Sequence, residues 1–206
     1  MEREAKGPLK GVIGMNVASN NNDVALRNLV NAVGFTRTLP ENVFSDDWKH
    51  FLFFDSDRVF ASSFASIVSG VLSAEGGVVA CLTNIDRGMQ EETLLSSSRF
   101  MRADISGNDY MSLLNAGGIA AWACAILRFA ITSDAGSWSV YGEQNNEIAV
   151  IAFQDREFME KVRPIVSQLD ALPIDEAIAL PLSYGFEVLP KNWRDRLVES
   201  YGVRKV

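Results

Sequence analysis

Apolar positions along this chain switch between a helical spacing and short continuous runs, and the switches mark its elements. Leu26, Leu29, Val30 and Val33 recur at helical spacing, with Asn20–Asp23 (NNND) as the cap signal and Gly34 as the stop. His50–Phe54 (HFLFF) predicts a buried strand, and Arg58–Phe60 is placed to pair with it across the Asp55-Ser56-Asp57 turn. Phe64, Ile67, Val68, Val71 and Leu72 predict an amphipathic helix ending at Gly76-Gly77. Val78–Leu82 (VVACL) is too apolar for an exposed edge and predicts a central strand. The polar stretch from Asp86 to Gly107 shows neither period and stays unassigned.

Asn108 opens the longest apolar run, Tyr110–Ile131, which predicts one long buried helix. Two strands follow, Ser137–Tyr141 and Glu147–Phe153, returning through Gly142–Asn146 (GEQNN). Helical spacing returns at Arg156–Leu169, shortened or kinked by Pro164, and again in a short helix at Asp175–Leu180. Trp193, Leu197 and Tyr201 line one face of a closing helix. Helices and strands interleave, yet the late hairpin demands antiparallel pairing. The expected fold is therefore α+β: one domain over residues 1–206, with a mixed or mostly antiparallel sheet of about five strands. Residues 1–21 are expected as a flexible N-terminal arm.

Composition agrees with a packed domain, since 48% of residues are hydrophobic and 22% charged. Cys81 and Cys124 each sit in an apolar run, the usual setting of a reduced, buried thiol. Met1–Lys10 alternates acids and bases without an apolar core, so no secretory signal is expected and the chain reads as cytoplasmic. Tyr110–Ile131 is long enough to span a bilayer but contains Asn115 and Arg128 and lacks basic flanks, so no membrane association is expected. The net charge of −7 is concentrated mid-chain, with −3 over residues 16–80 and −4 over 81–150. Such a field disfavours nucleic acid and favours a basic protein partner.

The search for chemistry yields little. Phe51–Asp57 (FLFFDSD) places Asp-x-Asp after a buried strand and resembles the opening motif of haloacid-dehalogenase-type phosphatases. There the first carboxylate attacks phosphorus and Mg²⁺ bridges the charges. The position where those enzymes favour Thr holds Val59, and no later acidic motif completes a metal site. Asp and Ser are also turn formers, and the turn is the stronger reading. His50 is the sole histidine, and no Gly-x-Ser-x-Gly presents a nucleophile. One histidine and two distant cysteines build no tetrahedral zinc site, and no phosphate-binding glycine loop occurs, so neither metal nor cofactor is expected.

Gly136–Phe153 (GSWSVYGEQNNEIAVIAF) combines a Trp-x-x-Tyr-Gly-Glu strand, an acidic hinge and an apolar return strand. Trp138, Tyr141, Gly142, Glu143 and the run Glu147–Phe153 make it similar to small bacterial proteins of the polymorphic-toxin immunity type. That resemblance implies a non-catalytic inhibitor that occludes a basic toxin. The partner-binding candidates are Asp46, Asp47 and Trp48 in one loop, Asp86, Glu91 and Glu92 in the unassigned stretch, and Trp138, Tyr141 and Glu143 in the hairpin. Acids beside aromatics would supply steering and buried anchors. Two other readings stay open: a metal-dependent hydrolase or phosphotransferase using Asp55 and Asp57, and an assembly subunit of a phage or secretion apparatus.

Overall fold

Short strand-forming runs bounded by Asp, Gly and Asn suit tight antiparallel returns better than parallel crossovers. The computed structural model describes residues 16–86, 91–116, 126–179 and 189–202, with side chains from Asn21 and Leu94 onward in the helices opening the first two stretches. It contains one six-stranded sheet, every neighbouring pair antiparallel, in the order β1-β6-β5-β4-β2-β3. The strands are β1 (His50–Asp55), β2 (Val79–Asn84), β3 (Ser98–Arg102), β4 (Arg128–Ser133), β5 (Trp138–Glu143) and β6 (Ile148–Phe153). The described α-helices are α1 (Asn16–Ala32), α2 (Phe64–Glu75), α3 (Glu91–Ser96), α4 (Gly107–Asn115), α5 (Arg156–Val166), α6 (Ile174–Ala179) and α7 (Lys191–Tyr201). The expected α+β class with its antiparallel sheet is the observed one.

Cross-strand partners share a face of the sheet. Leu52, Ile151, Val140, Ile131 and Leu82 therefore form a row on one side, and Phe53, Val150, Tyr141, Ala130 and Thr83 a row on the other. The first side is covered by α2 and α5, which approach each other closely: a Cβ on Gly70 of α2 would lie 3.0 Å from Ile165 of α5. The second side is covered by α1, which crosses β4 and β2, and by Tyr201 of α7, whose ring meets Phe51 and Phe53 edge-on at 5.0 and 5.2 Å. Every residue of β2, β5 and β6 is buried, so these strands are covered on both faces. Each fully buried Val, Ile, Leu or Phe there contributes about 1.5–3 kcal/mol.

Several boundaries differ from the sequence expectation. Asn20–Asp23 does not cap α1, because the helix begins at Asn16 and runs through it. Asn residues cost only about 0.7 kcal/mol or less each inside a helix, and the packing of Ala25, Leu26, Leu29 and Ala32 outweighs that. Residues 16–21 of the expected arm are thus helical, and its remainder lies outside the described residues. Arg58–Phe60 forms no strand: Ser56–Phe60 is a 3₁₀ turn, with the Asp55 carboxylate accepting from the Asp57 amide at 2.8 Å. The Asp-Ser-Asp turn is real, but it leads into α2 rather than into a hairpin.

The expected long helix from Asn108 is also replaced. Ser106, not Asn108, caps α4, which ends at Asn115, and Arg128–Ser133 is strand β4. A strand buried on both faces reads as an unbroken apolar run, and periodicity cannot separate it from a buried helix. Residues 117–125, including Cys124, lie outside the described residues. Among those described, no helix is long and apolar enough to cross a membrane. The unassigned stretch contributes α3 and β3. The remaining strands and helices match their expected positions to within a few residues, and Pro164 sits inside α5 as expected.

Two packing features generate measurable consequences. Phe129 of β4 faces Gly142 of β5, and a Cβ on Gly142 would lie 2.2 Å from the Phe129 ring tip. That ring is fully buried and held edge-on by Phe60 at 5.4 Å, so it has little room to retreat. Gly142→Ala is expected to lower stability by about 2–3 kcal/mol in urea unfolding, with part of the loss recovered on adding Phe129→Leu.

Glu75, at the end of α2, accepts from the Trp138 indole at 2.8 Å. Burial raises its pKa above the ordinary 4.5, while bonds from Ser133, Trp138 and Ser137 oppose that rise in part. The folded chain therefore binds this proton more tightly than the unfolded chain. The carboxyl's contribution to stability is present below pH 4.5 and is lost as pH rises through the folded value. Glu75→Gln, which retains an acceptor for the indole, is expected to remove that decline. Unfolding free energies of the two proteins measured from pH 4 to 8 check this, and parallel curves would refute it.

Candidate functional site

The sheet leaves β1 as an edge strand, and the described residues close that edge only in part. Along an edge strand, backbone groups alternate between facing the neighbouring strand and facing outward. Ser56 donates to Glu147 across the continuation of the β1–β6 ladder, which places His50, Leu52 and Phe54 inward and Phe51 and Phe53 outward. Phe53 is met by the segment before α6: its amide donates to Leu172 O at 2.7 Å, and the Leu172 amide donates back at 2.9 Å. That single rung ends the pairing. Pro173 has no amide and Ile174 begins α6, so the chain turns away before reaching Phe51.

A cleft of about 860 Å³ opens where the pairing stops. Its floor is Lys49–Leu52, with Arg156, Met159, Glu160 and Arg163 of α5 on one wall. The opposite wall is made by Asn42, Asp46 and Trp48 with Ser200–Gly202, and Pro173–Glu176 closes one end. Arg163 faces Glu160 at 3.4 Å, and Asp175 and Glu176 are exposed. His50 is half-buried at the cleft floor. Ser200 lines the same cleft, but no hydrogen bond joins it to His50 among the described residues; the described thiol, Cys81, is fully buried in the sheet, and burial pushes it up to about 11. A thiol so placed is inert as a nucleophile.

The loop carrying one wall is held by tyrosine and glutamate side chains. Tyr201 Oη accepts from the Val43 amide at 3.0 Å and donates to Glu41 O at 2.9 Å. Glu143 accepts from the Leu39 amide at 2.8 Å and from Tyr141 Oη at 2.7 Å, and its second oxygen accepts from Asn146 Nδ2. Burial, followed by the Glu143 charge, drives the Tyr141 phenol far above its ordinary range, so it remains a donor at all working pH values. Asp86 binds Arg128 Nε at 2.9 Å and the amides of Leu127 and Arg128 at 2.8 Å, while Arg128 also reaches Phe35 O at 3.3 Å.

The nine partner-binding candidates are thereby separated. Asp46 and Asp47 are exposed beside the cleft, and Trp48 lies in its wall, 5% exposed and stacked obliquely on Phe44. Trp138, Tyr141 and Glu143 are enclosed in the sheet with internal partners. They anchor the fold's own loops and present no surface, because all of β5 is covered on both faces. Asp86 is committed to Arg128. Glu91 and Glu92 open α3, and their side chains lie outside the described ones. Asp55 caps the 3₁₀ turn, Asp57 is exposed, and no cluster of three or more His, Cys, Asp or Glu fit to hold a metal occurs among the described residues.

Arg156, Glu160, Asp175 and Tyr201 reach the cleft from segments more than a hundred residues beyond Asp46, and no local signal in the sequence joins them. Comparison with known proteins finds no matching family model, no matching curated protein and no matching solved structure. Tyr201→Phe, which strips the buried Val43 amide of its acceptor, is expected to cost about 1–3 kcal/mol. It should also accelerate hydrogen exchange at Val43, and unchanged protection there would show that the loop is held by other contacts.

Proposed function

We propose that this chain is a non-catalytic, cytoplasmic protein-binding domain that occludes a basic partner in the manner of an immunity protein. The observation that carries the reading is an open sheet edge, recessed in a cleft and flanked by the exposed Asp46-Asp47 loop. An inhibitor of this kind needs no reacting groups, only a shaped surface and a field that steers its partner. A net charge of −7 supports such steering. The Asp55–Asp57 hydrolase reading draws less support, because the Asp55 carboxylate is engaged with its own turn.

The test is affinity capture from lysate of the source cell at low and moderate salt, followed by titration of the purified captured protein. One basic protein is expected. Its association is expected to slow at least about tenfold when Asp46→Lys and Asp47→Lys are combined, with the difference shrinking at high salt. Retention of nothing, or binding indifferent to both salt and charge reversal, would overturn the proposal. So would a Mg²⁺-dependent rise in melting temperature that Asp55→Asn abolishes, which points instead to the metal-dependent reading.

A further inference from the structure

The geometry points to a specific mode of recognition: an extended segment of a partner protein adds to the sheet as a strand beside β1, pairing with the backbone of Phe51 in the cleft. This rests on the protein-binding reading and names the site and the backbone conformation it takes. Among the described residues nothing pairs with the Phe51 amide and carbonyl, although the Phe53 pair, two residues along the same edge, is filled by Leu172. A polypeptide in extended conformation is the ligand whose own amide and carbonyl match that spacing, and strand addition of this kind draws its affinity from main-chain bonds. Leu172 already sets an antiparallel direction at Phe53. The incoming strand takes over the position that Pro173 and Ile174 abandon.

The walls define the side chains it carries. Residues of an added strand alternate between the two faces of the sheet. One set meets Arg156, Met159 and Glu160 of α5, and the other meets Trp48 and Asp46. Carboxylates outnumber cations around the cleft, with Asp46, Glu160, Asp175 and Glu176 against Lys49, Arg156 and Arg163. A lysine or arginine facing Asp46 or Asp175 therefore suits it. The floor from Lys49 to Leu52 accommodates about four residues, roughly 13 Å of strand. A second copy of this chain is a poorer occupant, because its own β1 is sunk between the same walls and cannot reach into a recess of equal depth.

The probe is a phage-displayed library of random twelve-residue peptides panned against the full chain, with the enriched peptides synthesised and titrated calorimetrically. Enrichment of sequences with one basic residue among alternating apolar ones is expected. N-methylation along the core of such a peptide should weaken binding about tenfold at every second position and little in between. Phe51→Pro removes the outward amide without touching a β6 bond, a substitution an edge strand tolerates, and should weaken binding by a similar factor. Phe51→Leu keeps the amide and should retain affinity, which separates lost pairing from lost ring packing. Failure to enrich any peptide, N-methyl effects without alternation, or full binding by Phe51→Pro overturns the strand-addition site. A concentration-dependent dimer that Phe51→Pro dissolves overturns it in favour of self-association. Steering by Asp46 and Asp47 is read separately by salt and charge reversal, so either idea can fail while the other stands.

Discussion

A sheet whose inner strands are buried on both faces has to be covered twice, and this constraint organises the molecule. The helices α2 and α5, with α4 and the 3₁₀ turn beside α2, cover one face. On the other, α1 reaches only β4 and β2, so the irregular chain from Val33 to Lys49 and the end of α7 cover β5, β6 and β1. Irregular chain laid on an apolar surface brings unpaired amides and carbonyls with it, each costly unless matched. Glu143, Arg128 and Tyr201 supply those matches for Leu39, Phe35, Val43 and Glu41, and Tyr141 Oη lies 3.5 Å from Arg37 O. Glu143 and Arg128 are polar residues of the sheet that serve this loop.

That arrangement explains how much of the fold could be read from the chain. Where local chemistry and packing agree, as at Phe64–Glu75 with Gly76 in the left-handed region, or at the β5–β6 return, the elements appear where periodicity puts them. Reading fails where two structures share one pattern. Arg128–Ser133 is as apolar as a buried helix, yet Ile131 and Thr132 are branched at Cβ and the segment pairs on both sides. Strand β3 is a different failure. At the sheet's far edge Ser98 and Met101 are buried, Arg99 and Phe100 half-buried and Arg102 exposed, a pattern that does not alternate along the strand.

The candidate site was legible in part. An acidic loop beside a tryptophan does lie at the cleft, but Glu143, which looks in sequence like an exposed hairpin-tip acid, points inward to an amide and a phenol. The difference is invisible without knowing that Leu39 lies across the sheet, 104 residues away along the chain. The cleft itself has no sequence signature at all. It exists because one strand runs out of partners.

The rung between Phe53 and Leu172 has a consequence for how that edge behaves in time. With Pro173 unable to donate, the segment before α6 is joined to β1 by one reciprocal pair of backbone hydrogen bonds, with Leu169 and Ile174 buried on either side of it and Asp170 paired with Arg58 at 2.8 Å. Releasing it requires no disruption of the five-pair ladder that joins the strands. The Phe53 amide and carbonyl therefore come free only through a local opening in which Leu172 leaves its rung. One rung of the edge is capped by the chain itself.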